Sequence, residues 1–314
     1  MIAPALPRAR WLVVPPLAAF LAVGLIAVYR YADNFWVYRG FQPPRDPAWV
    51  AGRGTAVRFY VASPALGGRR QPVDVYLPPG YATHPHRRYG VMYLLHGVPG
   101  RPGAFLDTVR MGVVEDELVG LHRARPLILA MPFGSTGSFT DEEWANGVRP
   151  RSAWATFLAR DVVNAVDRRY RTIRSGADRV LAGLSEGGYG AFNIGLAHPG
   201  EFRVLESWSG YERADDLGAI FGHRRSLLRA NSPLDAVGRE AATLRRDHAY
   251  LWFYSGDEDR FRTQNAAFAA ELAQLHVPHR FFLVRGGHNW ALWRGNAARA
   301  YLAASRHLGP VHAA

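Results

Sequence analysis

The first pattern along the chain is an uncharged apolar run from Trp11 to Tyr29, WLVVPPLAAFLAVGLIAVY. At helical rise it covers about 28 Å, close to the hydrocarbon thickness of a bilayer. The stretch Asp33 to Gly54 mixes Pro, Gly and aromatics without a sustained period and reads as a linker. From Thr55 strand and helix signals alternate. Thr55 to Ser63 and Pro72 to Leu77 read as an antiparallel hairpin around a Gly-rich turn. Gly90 to Leu95 and Leu127 to Met131 are continuous apolar runs, the pattern of strands buried on both faces. A long polar loop, Phe133 to Ser152, follows. Within Ala155 to Tyr170, residues Leu158, Val162, Val166 and Tyr170 recur at four-residue spacing and predict a helix. Arg179 to Leu184 reads as a strand, Gly187 to Ala197 as a helix and Phe202 to Ser207 as a shorter strand. Tyr211 to Asp247 is polar and Arg-rich with helical patches, placed where a cap over a site would sit. His248 to Ser255 and His279 to Val284 are the last strands, Thr263 to Leu275 and Ala291 to His307 the last helices. This order predicts an α/β domain over 55–308 with an insertion at about 211–247. Its mostly parallel central sheet is flanked by helices, with active groups in loops at the carboxyl ends of the strands. The rest divides into a leader, 1–30, a linker, 31–54, and a tail, 309–314.

The leader carries Arg8 and Arg10 before its apolar run, which predicts a cytoplasmic N-terminus and a single pass with the domain outside. Cleavage as a signal peptide, giving a secreted protein, is the alternative. The end of the run, Ala27-Val28-Tyr29-Arg30, lacks a small-x-small site, and Ala22-Val23-Gly24 would cut inside the run, so an uncleaved transmembrane helix is expected. The formal charge of +12 comes from 38 basic residues, every one Arg. They are scattered rather than interleaved with aromatics in a tract, so no nucleic-acid partner is expected. There is no cysteine, which excludes disulfides and thiolate chemistry.

Candidate chemistry centres on Gly183-Leu184-Ser185-Glu186-Gly187, a G-x-S-x-G sequence at a strand-to-helix junction. In a nucleophile elbow the turn is tight enough to expose the serine hydroxyl, and glycines avoid the collisions it would cause. In a chain this rich in Gly and Ser the five letters arise by chance in roughly one case in eight, so the surroundings must carry the assignment. Serine needs a base, and His288 in Gly286-Gly287-His288-Asn289-Trp290 follows the last strand at the expected edge. The base needs an acid. Asp257, Glu258 and Asp259 all follow the strand ending at Ser255, in the order nucleophile, acid, histidine; Asp259 is preferred, with Asp257 in reserve. Backbone N–H groups of Glu186 and Val98 are the candidate oxyanion donors. His96, Gly97 and Trp290 are candidates for substrate contact, His96 also for shaping the oxyanion loop. His84 and His86 form a pair without further ligands and read as exposed, so neither a metal nor a cofactor is expected.

Beyond the elbow, the chain from about Thr55 to Leu308 resembles the putative esterase family of α/β-hydrolases, which includes esterase D, feruloyl and enterochelin esterases and the antigen 85 mycolyltransferases. The matching stretches are YLLHGVPG at 93–100, WATFLARDVV at 154–163, GLSEGGYGAF at 183–192, HPGEF at 198–202, SWSG at 207–210, SGDEDR at 255–260 and GGHNW at 286–290. The resemblance implies an α/β-hydrolase fold and a triad in which the last Asp of the Gly-x-Glu-Asp stretch, Asp259, is the acid. Two departures stand out: Glu186 replaces the Met of many members, and cytosolic members lack a membrane-spanning leader. The expected function is a membrane-anchored, extracytoplasmic serine esterase acting on a small-molecule or lipid ester. Acyl transfer of the mycolyltransferase type and a non-catalytic binding module are the alternatives. Nothing in the sequence fixes the oligomeric state.

Overall fold

The computed structural model describes residues 10–310, with side chains from Pro15 onward. Arg8 and the tail residues 311–314 lie outside the described residues. The chain divides into two compact units with the boundary after Pro43.

Among the described residues the first unit holds one helix, α1 (Arg10–Tyr38), of 29 residues. Its window Pro15–Tyr38 has a mean hydropathy of 1.4 and is 0% buried. By length and composition it is able to cross a membrane, a test that a signal sequence near an N-terminus also passes. The helix runs past the predicted end at Tyr29, so the first part of the predicted linker is helical. No Gly or Pro interrupts it after Gly24 until Arg39 and Gly40, whose positive φ angles of 54° and 83° turn the chain out of the helix.

The second unit is built on an eight-stranded sheet in the order β1-β2-β4-β3-β5-β6-β7-β8. The hairpin β1 (Thr55–Ser63) and β2 (Arg69–Leu77) pairs antiparallel, and β2 joins β4 antiparallel. The remaining strands, β3 (Gly90–Leu95), β4 (Leu127–Pro132), β5 (Arg179–Leu184), β6 (Val204–Trp208), β7 (Tyr250–Gly256) and β8 (His279–Val284), are parallel to one another. Alternation along β3 sends Val91, Tyr93 and Leu95 into the core on one face and Met92 and Leu94 into the core on the other. This two-sided burial is why the central strands read as unbroken apolar runs.

The predicted helix at 155–170 is three segments, α4 (Trp154–Thr156), a π-helical stretch Phe157–Val162, and α5 (Val163–Arg169). Its stripe Leu158, Val162 and Val166 is fully buried. After the elbow come α6 (Glu186–Ala197), α10 (Arg262–Gln274) and α11 (Trp290–His307). Two helices fall where no element was predicted, α2 (Ala104–Asp107) and α3 (Met111–Gly120). Glu115 and Asp116 interrupt the apolar pattern of α3 and are buried: Glu115 accepts from the Leu127 N–H at 2.7 Å and from the Tyr301 hydroxyl at 2.7 Å. Segment 211–247 is not a detached cap. It holds α7 (Gly218–Phe221), α8 (Arg225–Ala230) and α9 (Pro233–Arg246), and α9 buries Ala236, Val237, Ala241 and Leu244 in the main core.

Candidate active site

The strand β5 lies inside the sheet between β3 and β6, and Ser185 is the single residue between it and α6. Its backbone stands at φ 56°, ψ −123°, a sparsely populated region for a residue with a side chain. The flanking glycines answer to close backbone approach. A Cβ at Gly183 would lie 2.1 Å from the Gly187 carbonyl oxygen, and one at Gly187 would lie 1.9 Å from the Leu95 carbonyl oxygen. The Ser185 N–H donates to the Trp208 carbonyl at 3.1 Å, tying the elbow to β6.

Three loops at the same sheet edge converge on this serine. Ser185 Oγ lies 2.8 Å from His288 Nε2, and His288 Nδ1 lies 2.8 Å from Asp259 Oδ2. The Asp259 carboxylate also accepts from the Phe261 N–H at 2.9 Å and from the Ser209 hydroxyl. Burial pushes the Asp259 pKa up, but the hydrogen bonds from His288, Phe261 and Ser209 outweigh it and hold the carboxyl below its usual range. The reserve acid, Asp257, points elsewhere: its Oδ1 accepts from the Gly286 N–H at 2.9 Å and so ties down the loop that carries His288. Asn289 caps α11, its side chain accepting from the Leu292 N–H at 3.1 Å, which fixes the helix start two residues after the histidine.

The loop after β3 passes close to Ser185. A Cβ on Gly97 would stand 2.9 Å from the Ser185 Cβ, and the Val98-Pro99 peptide beyond it is cis. Val98 is partly exposed, and Glu186, the first residue of α6, presents its N–H at a helix start where the dipole favours negative charge. His96 is buried with both ring nitrogens engaged in the loop, Nδ1 2.9 Å from the Gly97 carbonyl and Nε2 accepting from the Gly134 N–H at 3.2 Å. Burial lowers its pKa to about 4. Its ring packs on Phe133 and Trp144, so its polar atoms support the loop rather than face a substrate. His84 and His86 are exposed, and His84 Nδ1 lies 2.9 Å from the Gly80 carbonyl of its own turn.

Trp290 packs on Trp293, with ring centres 5.0 Å apart. It is Trp293 that meets His288 edge-on at 5.1 Å, and its indole N–H donates to the Trp208 carbonyl at 3.0 Å. Phe261 flanks the imidazole on another side at 5.3 Å, and Tyr211 packs against Phe261. Ser209, Trp293 and Phe261 were not singled out from sequence. The Ser-Trp-Ser-Gly stretch and the Asp-Arg-Phe turn after Asp259 were the available signals. The Glu186 side chain is 4% exposed. Burial first, then repulsion from Glu143 and Asp141, pushes its carboxyl well above the usual range.

Residues 63–303 match the family model described as Putative esterase. The chain belongs to this family. Among curated relatives, esterase Rv1288 of Mycobacterium tuberculosis is 26% identical over 248 residues, which cover 69% of this chain and 52% of that protein. The chain spans about half the length of the curated relatives it matches. Among solved structures, a ferulic acid esterase superposes with a TM-score of 0.72 at 24% identity, covering 82% of this chain and 100% of that one. An S-formylglutathione hydrolase from Agrobacterium tumefaciens gives 0.70 at 16% identity, covering 86% and 100%. At these identities the superpositions establish the α/β-hydrolase fold.

Proposed function

We propose that this protein is a membrane-anchored serine esterase that cleaves carboxylic esters through an acyl-enzyme. The observation that carries the reading is the unbroken line of hydrogen bonds from Ser185 Oγ through His288 to Asp259, each at 2.8 Å. Ser185 attacks the ester carbonyl carbon while His288 Nε2 accepts the hydroxyl proton. Asp259 holds Nδ1 protonated and stabilises the imidazolium. The tetrahedral oxyanion is received by the N–H groups of Val98 and Glu186. His288 returns the proton to the departing alcohol, leaving acyl-Ser185. Water, deprotonated by the same imidazole, then attacks the acyl carbon and releases the free acid. The ferulic acid esterase likeness supports a small-molecule ester as substrate, and the apolar Pro15–Tyr38 segment supports a membrane anchor with the domain of 55–308 outside the cytoplasm.

The deciding experiment is covalent labelling of the full chain with a fluorophosphonate probe. Labelling of wild type that disappears in Ser185→Ala is expected. A folded wild-type protein that takes no label would leave a non-catalytic module. Extraction of membranes at high pH tests the anchor: the uncleaved chain should stay in the membrane pellet.

A further inference from the structure

The geometry points to a divalent-cation site, of the calcium type, formed by Asp141, Glu143 and Glu186 beside the nucleophile. Glu186 follows Ser185 directly, whereas Asp141 and Glu143 come from the long loop between β4 and α4. The three offer one carboxylate oxygen each, all within 4.8 Å of one another. Oxygens around a calcium ion at 2.3–2.6 Å stand at most about 5 Å apart, so this spacing is that of a coordination shell. Glu143 is 3% exposed and Glu186 4%, while Asp141 is exposed and opens the cluster to solvent, where water completes the shell. The donor set is oxygen only, which suits a hard cation and not zinc or copper.

An acidic cluster alone would say little. The second observation is the Glu186 side chain: it is buried, its carboxylate lies in the cluster, and its Oε2 has no hydrogen-bond partner. Glu143 accepts from the Tyr211 hydroxyl, and its N–H donates to Asp141 Oδ1 at 3.2 Å, so both neighbours are held in place. The chain carries 38 basic residues. Yet among the ion pairs of the described residues none reaches these three carboxylates, and the nearby Arg149 is committed to Glu142 at 3.2 Å. Buried carboxylates persist when they are paired, metal-bound or neutralised by protons. Hard-cation geometry with an orphaned oxygen favours the metal.

The location gives the cation a task under the esterase reading. Wherever these carboxyls ionise beside Ser185 they oppose the negative charge that gathers on the tetrahedral intermediate, and a bound dication removes that opposition. The binding site itself does not depend on the esterase reading, and its test is separate from probe labelling.

The test is equilibrium dialysis of radioactive calcium against the detergent-solubilised full chain, previously stripped with EDTA, for wild type, Asp141→Asn, Glu186→Gln and Ser185→Ala. Wild type and Ser185→Ala should each take up one ion per chain with the same affinity. Asp141→Asn should bind at least tenfold more weakly and Glu186→Gln should not bind measurably. Asp141 is exposed, so its variant decides the matter if Glu186→Gln does not fold. The control Asp216→Asn, an exposed acid elsewhere, should bind as wild type does. Absence of saturable uptake by wild type, or undiminished uptake by Asp141→Asn, overturns the site and leaves protonated carboxyls as its occupants.

Discussion

Removing the Ser209 hydroxyl isolates one of the supports of Asp259. Ser209 follows β6 directly, is fully buried and donates to the same Asp259 oxygen that receives His288. In Ser209→Ala the carboxylate keeps two donors, the Phe261 N–H at 2.9 Å and His288 at 2.8 Å. A hydrogen bond to a charged group contributes about 1.5–3 kcal/mol. If that loss is felt in the transition state, kcat/KM falls by about tenfold to about a hundredfold. Asp259→Asn, which removes the acceptor and its charge, should cost roughly ten-thousandfold. Asp257→Asn, which alters only the loop tie at Gly286, should change activity by less than about threefold. Hydrolysis of a p-nitrophenyl ester between pH 4 and 9 reads all three. The pH profile supplies a second signature. Asp259 is held below the usual carboxylate range because its donors outweigh burial. With one donor gone its folded-state pKa rises, so the stability that the ionised carboxylate contributes is lost on acidification at a higher pH than in wild type, as urea unfolding across the acid range will read. Unchanged kcat/KM with an unmoved acid dependence of stability would refute the support role, and a loss equal to that of Asp259→Asn would mean that Ser209 takes part in the chemistry.

Two further perturbations test the frame around the site. Gly187→Ala places a Cβ 1.9 Å from the Leu95 carbonyl oxygen, a backbone clash between α6 and β3. The variant should lose several kcal/mol and either unfold at markedly lower temperature or fail to accumulate, as differential scanning fluorimetry will show. His96 falls from 6.5 to about 4 through burial. The unfolded chain therefore takes up its proton on acidification through pH 6.5, and the folded chain only near pH 4, so stability falls across that window by roughly 3 kcal/mol from this group. Urea unfolding at pH 7.5 and pH 4.5 should give a smaller difference for His96→Gln than for wild type; an equal difference would show that His96 is not held neutral.

What was legible in the sequence was whatever sits at a strand end. Ser185, Asp259 and His288 each follow a strand buried in the sheet, and each lies among glycines or turn residues that fix the loop. The alternation of runs is enough to place all three at one edge. The illegible parts depend on contacts between distant segments. Ser209 acquires its role only through a carboxylate 50 positions away, and Trp293 looks like any aromatic on a helix until its ring meets His288. Glu186 could be assigned a main-chain task but not a side-chain one, because Asp141 and Glu143 come from a loop whose pattern is merely polar. Helical patches were expected within 211–247, but the core packing of α9 was masked by its arginines, which occupy its outer face while Val237, Ala241 and Leu244 enter the core. Helix α3 was hidden by the opposite device, buried acids inside an apolar stripe.

The four neighbouring strands β5, β6, β7 and β8 each end near one residue of the candidate site: Ser185, Ser209, Asp259 and His288. Their spacing is set by main-chain hydrogen bonds at about 4.8 Å per strand, a distance no side chain chooses. The reactive groups thus hang from a ruler that sequence drift leaves unmarked, which accounts for superposition over 86% of the chain at only 16% identity. Divergence is free to act on the crossovers instead. Exchanging only the short helices α7 and α8, which leaves Ser209 and the core face of α9 in place, would test that freedom directly.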